Sequence, residues 1–177
     1  MGMVSMSIIL VNFSQQTFND ALWSLEQAKN LDKNNEPFSY WKFCSWSIVS
    51  SALCLESYIT SHLRSMSDEI DPNIWSYLKG SIGGFYAKIK YLENISDAQI
   101  IDESDSDWNN IAQIIQLRND IVHFNRVDIF NSINETNAEN AIKACRDGIK
   151  KLHSAIGINY TKGAAWIDKQ KSEKYDK

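Results

Sequence analysis

The run Arg118-Asn119-Asp120-Ile121-Val122-His123 is the one dense polar cluster that ends an apolar helical stretch in this 177-residue chain. Histidine is the side chain best poised to move protons near neutral pH. Arginine is a permanent cation whose planar fork matches phosphate oxygens. Together they suit cleavage of a phosphodiester. His123 would draw a proton from a ribose 2′-hydroxyl or donate one to the leaving oxygen. Arg118 would stabilise the charge that builds on the phosphorus oxygens. The scheme requires neither a metal nor a cofactor.

Spacing constrains how these groups can cooperate. At 100° per residue, Arg118 and His123 point about 140° apart on a regular helix. Asn119 lies four residues before His123, shares its face and can support the ring or the phosphate. Asp120, three residues before His123, can orient the imidazole and raise its pKa. For Arg118 and His123 to reach one phosphate, the helix must bend near its end or a second copy must supply the partner. Glu56 sits in an apolar stretch, where it either pairs with Arg118 or another cation inside the fold or supports the site. The bland alternative is a histidine that compensates the helix dipole beside a surface arginine.

Other chemistry-bearing residues fall away. His62 and His153 have no cysteine, carboxylate or second histidine at a metal-ligand spacing on a shared face. Cys44, Cys54 and Cys145 form no C-x-x-C pair, so they read as small core residues and no metal site is expected. No Walker loop, dinucleotide fingerprint or nucleophile elbow is present. Most of the six tryptophans read as core or interface anchors, with Trp166 able to stack on a base.

The elements that must position the motif are helical. Glycine and proline total nine residues, too few to punctuate an all-β sandwich or barrel. Apolar spacings of three and four predict a helix over residues 14–31, with Phe18, Leu22, Leu25 and Ala28 inward. A longer helix over 39–66 carries a broad stripe (Trp41, Ile48, Ala52, Leu55, Ile59) that implies packing on two sides. Shorter helices follow at 74–79 and 85–95, then an acidic stretch over 96–107 that reads as a solvated loop, with Asp107 as a cap. The motif helix starts near Trp108 and aligns Ile111, Ile115, Arg118 and Val122. The last helix covers 136–156 and closes at Gly157. The prediction is an all-α antiparallel bundle of four to five helices over residues 1–158, followed by a frayed, basic, polar tail over 159–177.

Composition adds limits. The net charge of -4 divides into -9 for residues 1–142 and +5 for 143–177. The basic end is therefore expected to be the part able to meet a polyanion. Three cysteines in a chain this long exclude a disulfide framework and fit a reducing compartment, so a cytoplasmic location is expected. The longest uncharged stretch, 43–55, is too short and too polar to span a bilayer, and no membrane partner is expected.

The run RNDIVH resembles the signature of the HEPN superfamily, in which Arg is followed by a polar residue, often Asn, and after a gap by His. The stretches ALCLESYI (residues 52–59) and FYAKIKYL (85–92) are also similar to that family, and the resemblance covers roughly residues 14–156. It implies a bundle of four or five helices with the motif near the end of the penultimate long helix. It further implies a homodimeric, metal-independent endoribonuclease whose two motifs face one cleft, with Arg118, His123 and Asn119 as the active set. RNA is then the substrate, and the setting is a prokaryotic toxin, with an antitoxin as partner, or a phage-defence effector. Other members of the superfamily are non-catalytic modules that bind nucleotide, RNA or a protein partner, which is the alternative reading.

Overall fold

The computed structural model describes residues 2–66, 70–79, 84–100, 102, 104–123, 128–157, 159, 161 and 163–173. Side chains are described from residue 13 onward, except at 75 and 77–79. All regular structure among these residues is helical. The α-helices are α1 (Gly2–Lys29), α2 (Pro37–Ser65), α3 (Pro72–Lys79), α4 (Phe85–Ser96), α5 (Ser106–His123), α6 (Ile129–Ser132) and α7 (Glu135–Ala155). A 3₁₀ turn follows at Ala165–Asp168. The all-α expectation holds, with seven α-helices among the described residues, four of them 18 residues or longer, where a bundle of four to five was expected.

Helix α2 is the centre. Pro37 starts it, where the missing N–H would have no intrahelical acceptor. Its stripe is as broad as the sequence predicts: Cys44, Ile48, Ala52, Leu55, Ile59 and Leu63 are all buried. The serines that dilute this helix are buried as well. Ser47 donates to the Ala21 carbonyl of α1 at 2.9 Å, and Ser51 donates to the Ser47 carbonyl at 2.9 Å. Small hydroxyl side chains therefore let α1 and α2 approach closely while satisfying their own polar atoms.

Contacts along the helices set their directions. Ser47 meets Ala21 while Ser57 meets Ser14 at 2.7 Å, so α1 and α2 run antiparallel. Glu135 meets Tyr40 and His153 meets Tyr58, so α7 runs parallel to α2. Lys151 of α7 bridges to Asp105 at the start of α5, and Gly148 faces Ile111, so α5 is antiparallel to α7. A Cβ on Gly148 would lie 3.1 Å from both Ile111 Cδ1 and Leu55 Cδ1, so a bare Cα is what brings α7 against α2 and α5. A second, smaller core of Ala28, Cys44, Ile129 and Ile133, with Leu117 and Ile121 against it, clamps the end of α5.

Several expectations are corrected. Helix α1 begins at Gly2, twelve residues before the predicted start at 14. The cap of α5 is Asp105, whose Oδ1 accepts from the Asp107 backbone N–H at 2.8 Å, instead of Asp107 itself. The acidic stretch before α5 is not merely solvated, because Lys151 holds Asp105 and lies 3.5 Å from Asp107. Val122 is half-exposed and not part of the inner line. The predicted breaks over residues 67–69 and 80–83 lie outside the described residues.

The end of the chain departs most from expectation. Residues 163–173 form a strap across α1 and α7. Arg146 donates to the carbonyls of Ile167 (2.6 Å) and Lys169 (3.0 Å), and Ser172 binds the Glu26 carboxylate through both N–H and hydroxyl. Trp166 and Ile167 are buried, with Trp166 edge-on to Phe18 and Tyr58. Trp166 is a core anchor and not a surface on which a base can stack. No helix among the described residues is long and apolar enough to cross a membrane.

Candidate functional site

Arg118 and Glu56 face each other across the α2–α5 contact. The Arg118 Nη2 lies 2.9 Å from Glu56 Oε2, and Nη1 donates to Asn119 Oδ1 at 2.8 Å. The pairing considered for Glu56 is therefore present. A second cation joins it: Lys88 of α4 donates to Glu56 Oε1 at 3.1 Å and is itself nearly buried. Two cations around one carboxylate leave a local excess of one positive charge. Both Arg118 and Glu56 keep about a quarter of their side-chain surface exposed, so the cluster is partly desolvated yet open at one edge. An anion arriving at that edge meets charges only partly screened by water.

His123 occupies the last turn of α5 and is exposed. Among the described residues it makes no hydrogen bond or ion pair, and it does not contact Arg118, as the angular spacing predicts. Its ring is free to meet something outside the chain. The basic side chain also sits where the helix dipole is negative.

Asp120 points to the opposite side of α5 from Arg118. It is buried, accepts from Gln116 Nε2 at 2.8 Å, and lines a cavity of about 340 Å³ between α5, α6 and α7. The predicted site residues thus divide into three stations around the end of α5. Glu56, Arg118 and Asn119 cluster on one side, His123 stands at the tip, and Asp120 lies on the other side. Lys88 is the member that sequence reasoning missed. Its only signal was a lysine in the middle of the apolar run over residues 85–92.

A further cluster lies away from the motif. Tyr58 Oη and His153 Nε2 are 2.7 Å apart, and the rings of His62 and His153 stand 5.4 Å apart, nearly perpendicular. The two histidines, read from the sequence as unrelated, meet because α2 and α7 run side by side. Burial first, and the charge of His153 second, pull His62 down to about 4, and burial pushes Tyr58 up to about 12. All three cysteines are buried. Desolvation raises Cys44 to about 11 and holds Cys54 well above its ordinary value, so neither is a nucleophile.

Several basic side chains near the end of the chain are paired in place. Lys143 pairs with Asp147, Lys150 with Asp168, Lys151 with Asp105, and Lys169 with Glu173. Among the described residues, four lysines of the expected cationic surface over residues 143–177 are therefore held in ion pairs. Lys88 and Arg118, which share Glu56, form a separate basic cluster away from that end. No family model, curated protein or solved structure matches the chain.

Proposed function

We propose that this helical domain is of HEPN type and acts as a homodimeric, metal-independent endoribonuclease, with Arg118 and His123 as its active pair. The observation that carries the reading is the end of α5. A guanidinium held in place by Glu56 and Asn119 flanks an exposed, uncommitted histidine on the same helical turn and a half. His123 takes the proton of a ribose 2′-hydroxyl, the freed oxygen attacks the adjacent phosphorus, and the 5′ oxygen leaves. Arg118, backed by Lys88, stabilises the negative charge on the non-bridging oxygens. The leaving oxygen collects its proton from a second histidine, the partner's copy of the same residue. The products are a 2′,3′-cyclic phosphate and a 5′-hydroxyl.

The dimer is supported by geometry as well as by resemblance. His123 and Arg118 of one chain diverge, so a facing copy supplies the second proton-transfer group that one chain lacks. Val122, half-exposed beside His123, offers an apolar edge for that pairing. The cellular role as a toxin with an antitoxin partner, or as a phage-defence effector, follows from the resemblance of the RNDIVH run.

A second reading has its own observation. Glu56 and Asn119 already fill much of the Arg118 fork, as they would in a structural ion pair. In that case the domain binds nucleotide, RNA or a protein partner without cleaving. Incubation with single-stranded RNA in EDTA separates the two. Cleavage should persist in EDTA, fall by about a thousandfold or more in Arg118→Ala and His123→Ala, and leave a cyclic phosphate terminus. Undiminished cleavage in His123→Ala would remove the site assignment. A monomer at micromolar concentration with full activity would remove the composite cleft.

A further inference from the structure

Lys88 stands where a core residue is expected. The inward face of α4 is Phe85, Lys88, Ile89 and Leu92, spaced as an apolar stripe, and the lysine is buried with its neighbours. A buried ammonium costs free energy unless a charge partner meets it. Its partner is Glu56, but Glu56 already has Arg118. One cation satisfies a carboxylate, and an apolar side chain at 88 would complete the stripe at less cost. Stability alone therefore does not account for the second cation.

The geometry shows how the carboxylate is shared. Lys88 Nζ lies 3.1 Å from Oε1 and Arg118 Nη2 lies 2.9 Å from Oε2, so each oxygen has its own cation. Among the described residues neither cation meets a second carboxylate. The side chain of Lys88 is only 9% exposed and that of Arg118 is 24% exposed. An anion from solvent thus reaches the guanidinium and not the ammonium. Arg118 gives one N–H to Glu56 and one to Asn119, which leaves further donors on the same fork.

Electrostatics separates what the two cations do. Paired with Glu56 alone, Arg118 would present a neutral ion pair to a phosphate, with attraction and repulsion nearly cancelling. Lys88 balances the Glu56 charge from the inside, and the guanidinium then acts on the outside as a full cation. We propose that Lys88 is a positioning residue for an anion bound at Arg118. It holds and neutralises Glu56 from within the core, so that Arg118 keeps its charge for an RNA phosphodiester that Lys88 never touches. That the anion is an RNA phosphodiester rests on the ribonuclease reading above; the sharing of Glu56 does not.

The test uses the full chain and a short, fluorescently labelled single-stranded RNA methylated at every 2′-oxygen, which offers no hydroxyl to attack. Lys88→Met keeps an unbranched stem in the stripe and should weaken binding, read by fluorescence anisotropy, about tenfold. Glu56→Gln keeps an acceptor oxygen for Arg118, removes the negative charge and should tighten binding. The double variant restores the charge balance at Arg118 and should bind within about threefold of the natural chain. A lysine needed only to pack α4 on α2 would not be rescued by the loss of a charge on Glu56. Should Lys88→Met not fold, the sign of the Glu56→Gln effect decides, and weaker binding there overturns the proposal. It is equally overturned if the natural chain does not bind this RNA, if Lys88→Met binds as the natural chain does, or if the double variant stays weak. The expected pattern of binding without cleavage of unmodified RNA supports the role of Lys88 and defeats the ribonuclease reading alone. Cleavage indifferent to Lys88→Met defeats the role of Lys88 alone.

Discussion

Glu56 touches both Arg118 and Lys88, and this makes the three residues unequal in what their loss does. Removing Arg118 leaves Glu56 still paired with Lys88. Removing Glu56 leaves two cations facing each other in a partly buried place, with like-charge repulsion and no counter-ion. Glu56→Ala should therefore cost about 2 kcal/mol of stability and Arg118→Ala less, about 1 kcal/mol, the pair being a quarter exposed. Urea midpoints of the two variants check the order, and a larger loss for Arg118→Ala would contradict it. Part of this cluster was legible from residue types, since an acid in an apolar stretch must find a cation and Arg118 was the candidate. Lys88 was not, because it lies 32 residues from Glu56 and no local pattern joins them. The Tyr58–His153 contact, across 95 residues, was invisible for the same reason.

The helices themselves were the most legible elements, because a buried stripe leaves its 3.6-residue period in the sequence whatever it packs against. The inner residues read from periodicity in α1 and α2 (Phe18, Leu22, Leu25 and Ala28; Ile48, Ala52, Leu55 and Ile59) are buried as expected. What failed was the placement of ends and of the strap. The cap of α5 moved to Asp105 because an Asx side chain competes for the first free N–H groups, and several neighbouring acids can do so. The strap over residues 163–173 has no period at all. Its anchors are Trp166, Ile167 and the Arg146 guanidinium, which only tertiary structure brings together. The close approach of α7 to α2 and α5 at Gly148 makes a prediction about packing. Gly148→Val places two methyl groups where even a Cβ meets Ile111 and Leu55 at 3.1 Å. Overpacking of this kind should cost about 3 kcal/mol, read as a fall in the urea midpoint. Val at the exposed Gln113 of α5 should cost well under that, about 0.5 kcal/mol, so that β-branching in a helix is separated from the clash.

At the scale of the whole molecule, charge and stability meet in the pair of histidines between α2 and α7. Exposed ion pairs such as Lys143–Asp147 and Lys150–Asp168 do not titrate near neutral pH, so the buried groups decide where stability starts to fail. In the unfolded chain His62 titrates near 6.5, whereas in the folded protein burial, aided by His153, holds it near 4. Above pH 6.5 the ring is neutral in both states and the fold carries no penalty. Between 6.5 and about 4 the unfolded chain binds a proton that the folded chain refuses, so stability falls with falling pH by about 1.4 kcal/mol per unit, or about 3 kcal/mol across the window. Asp102 and Asp105 are held below their ordinary values by Ser104 and Lys151, so their contribution is lost at still lower pH. Replacing His62 by Gln removes the histidine slope and keeps the carboxylates. The unfolding free energy of the natural chain minus that of His62→Gln, followed by urea titration from pH 7.5 to 4, should therefore fall steadily below pH 6.5, by about 3 kcal/mol in all. A constant difference across that range would mean that His62 titrates alike in both states, and that its burial beside Tyr58 and His153 does not govern acid stability.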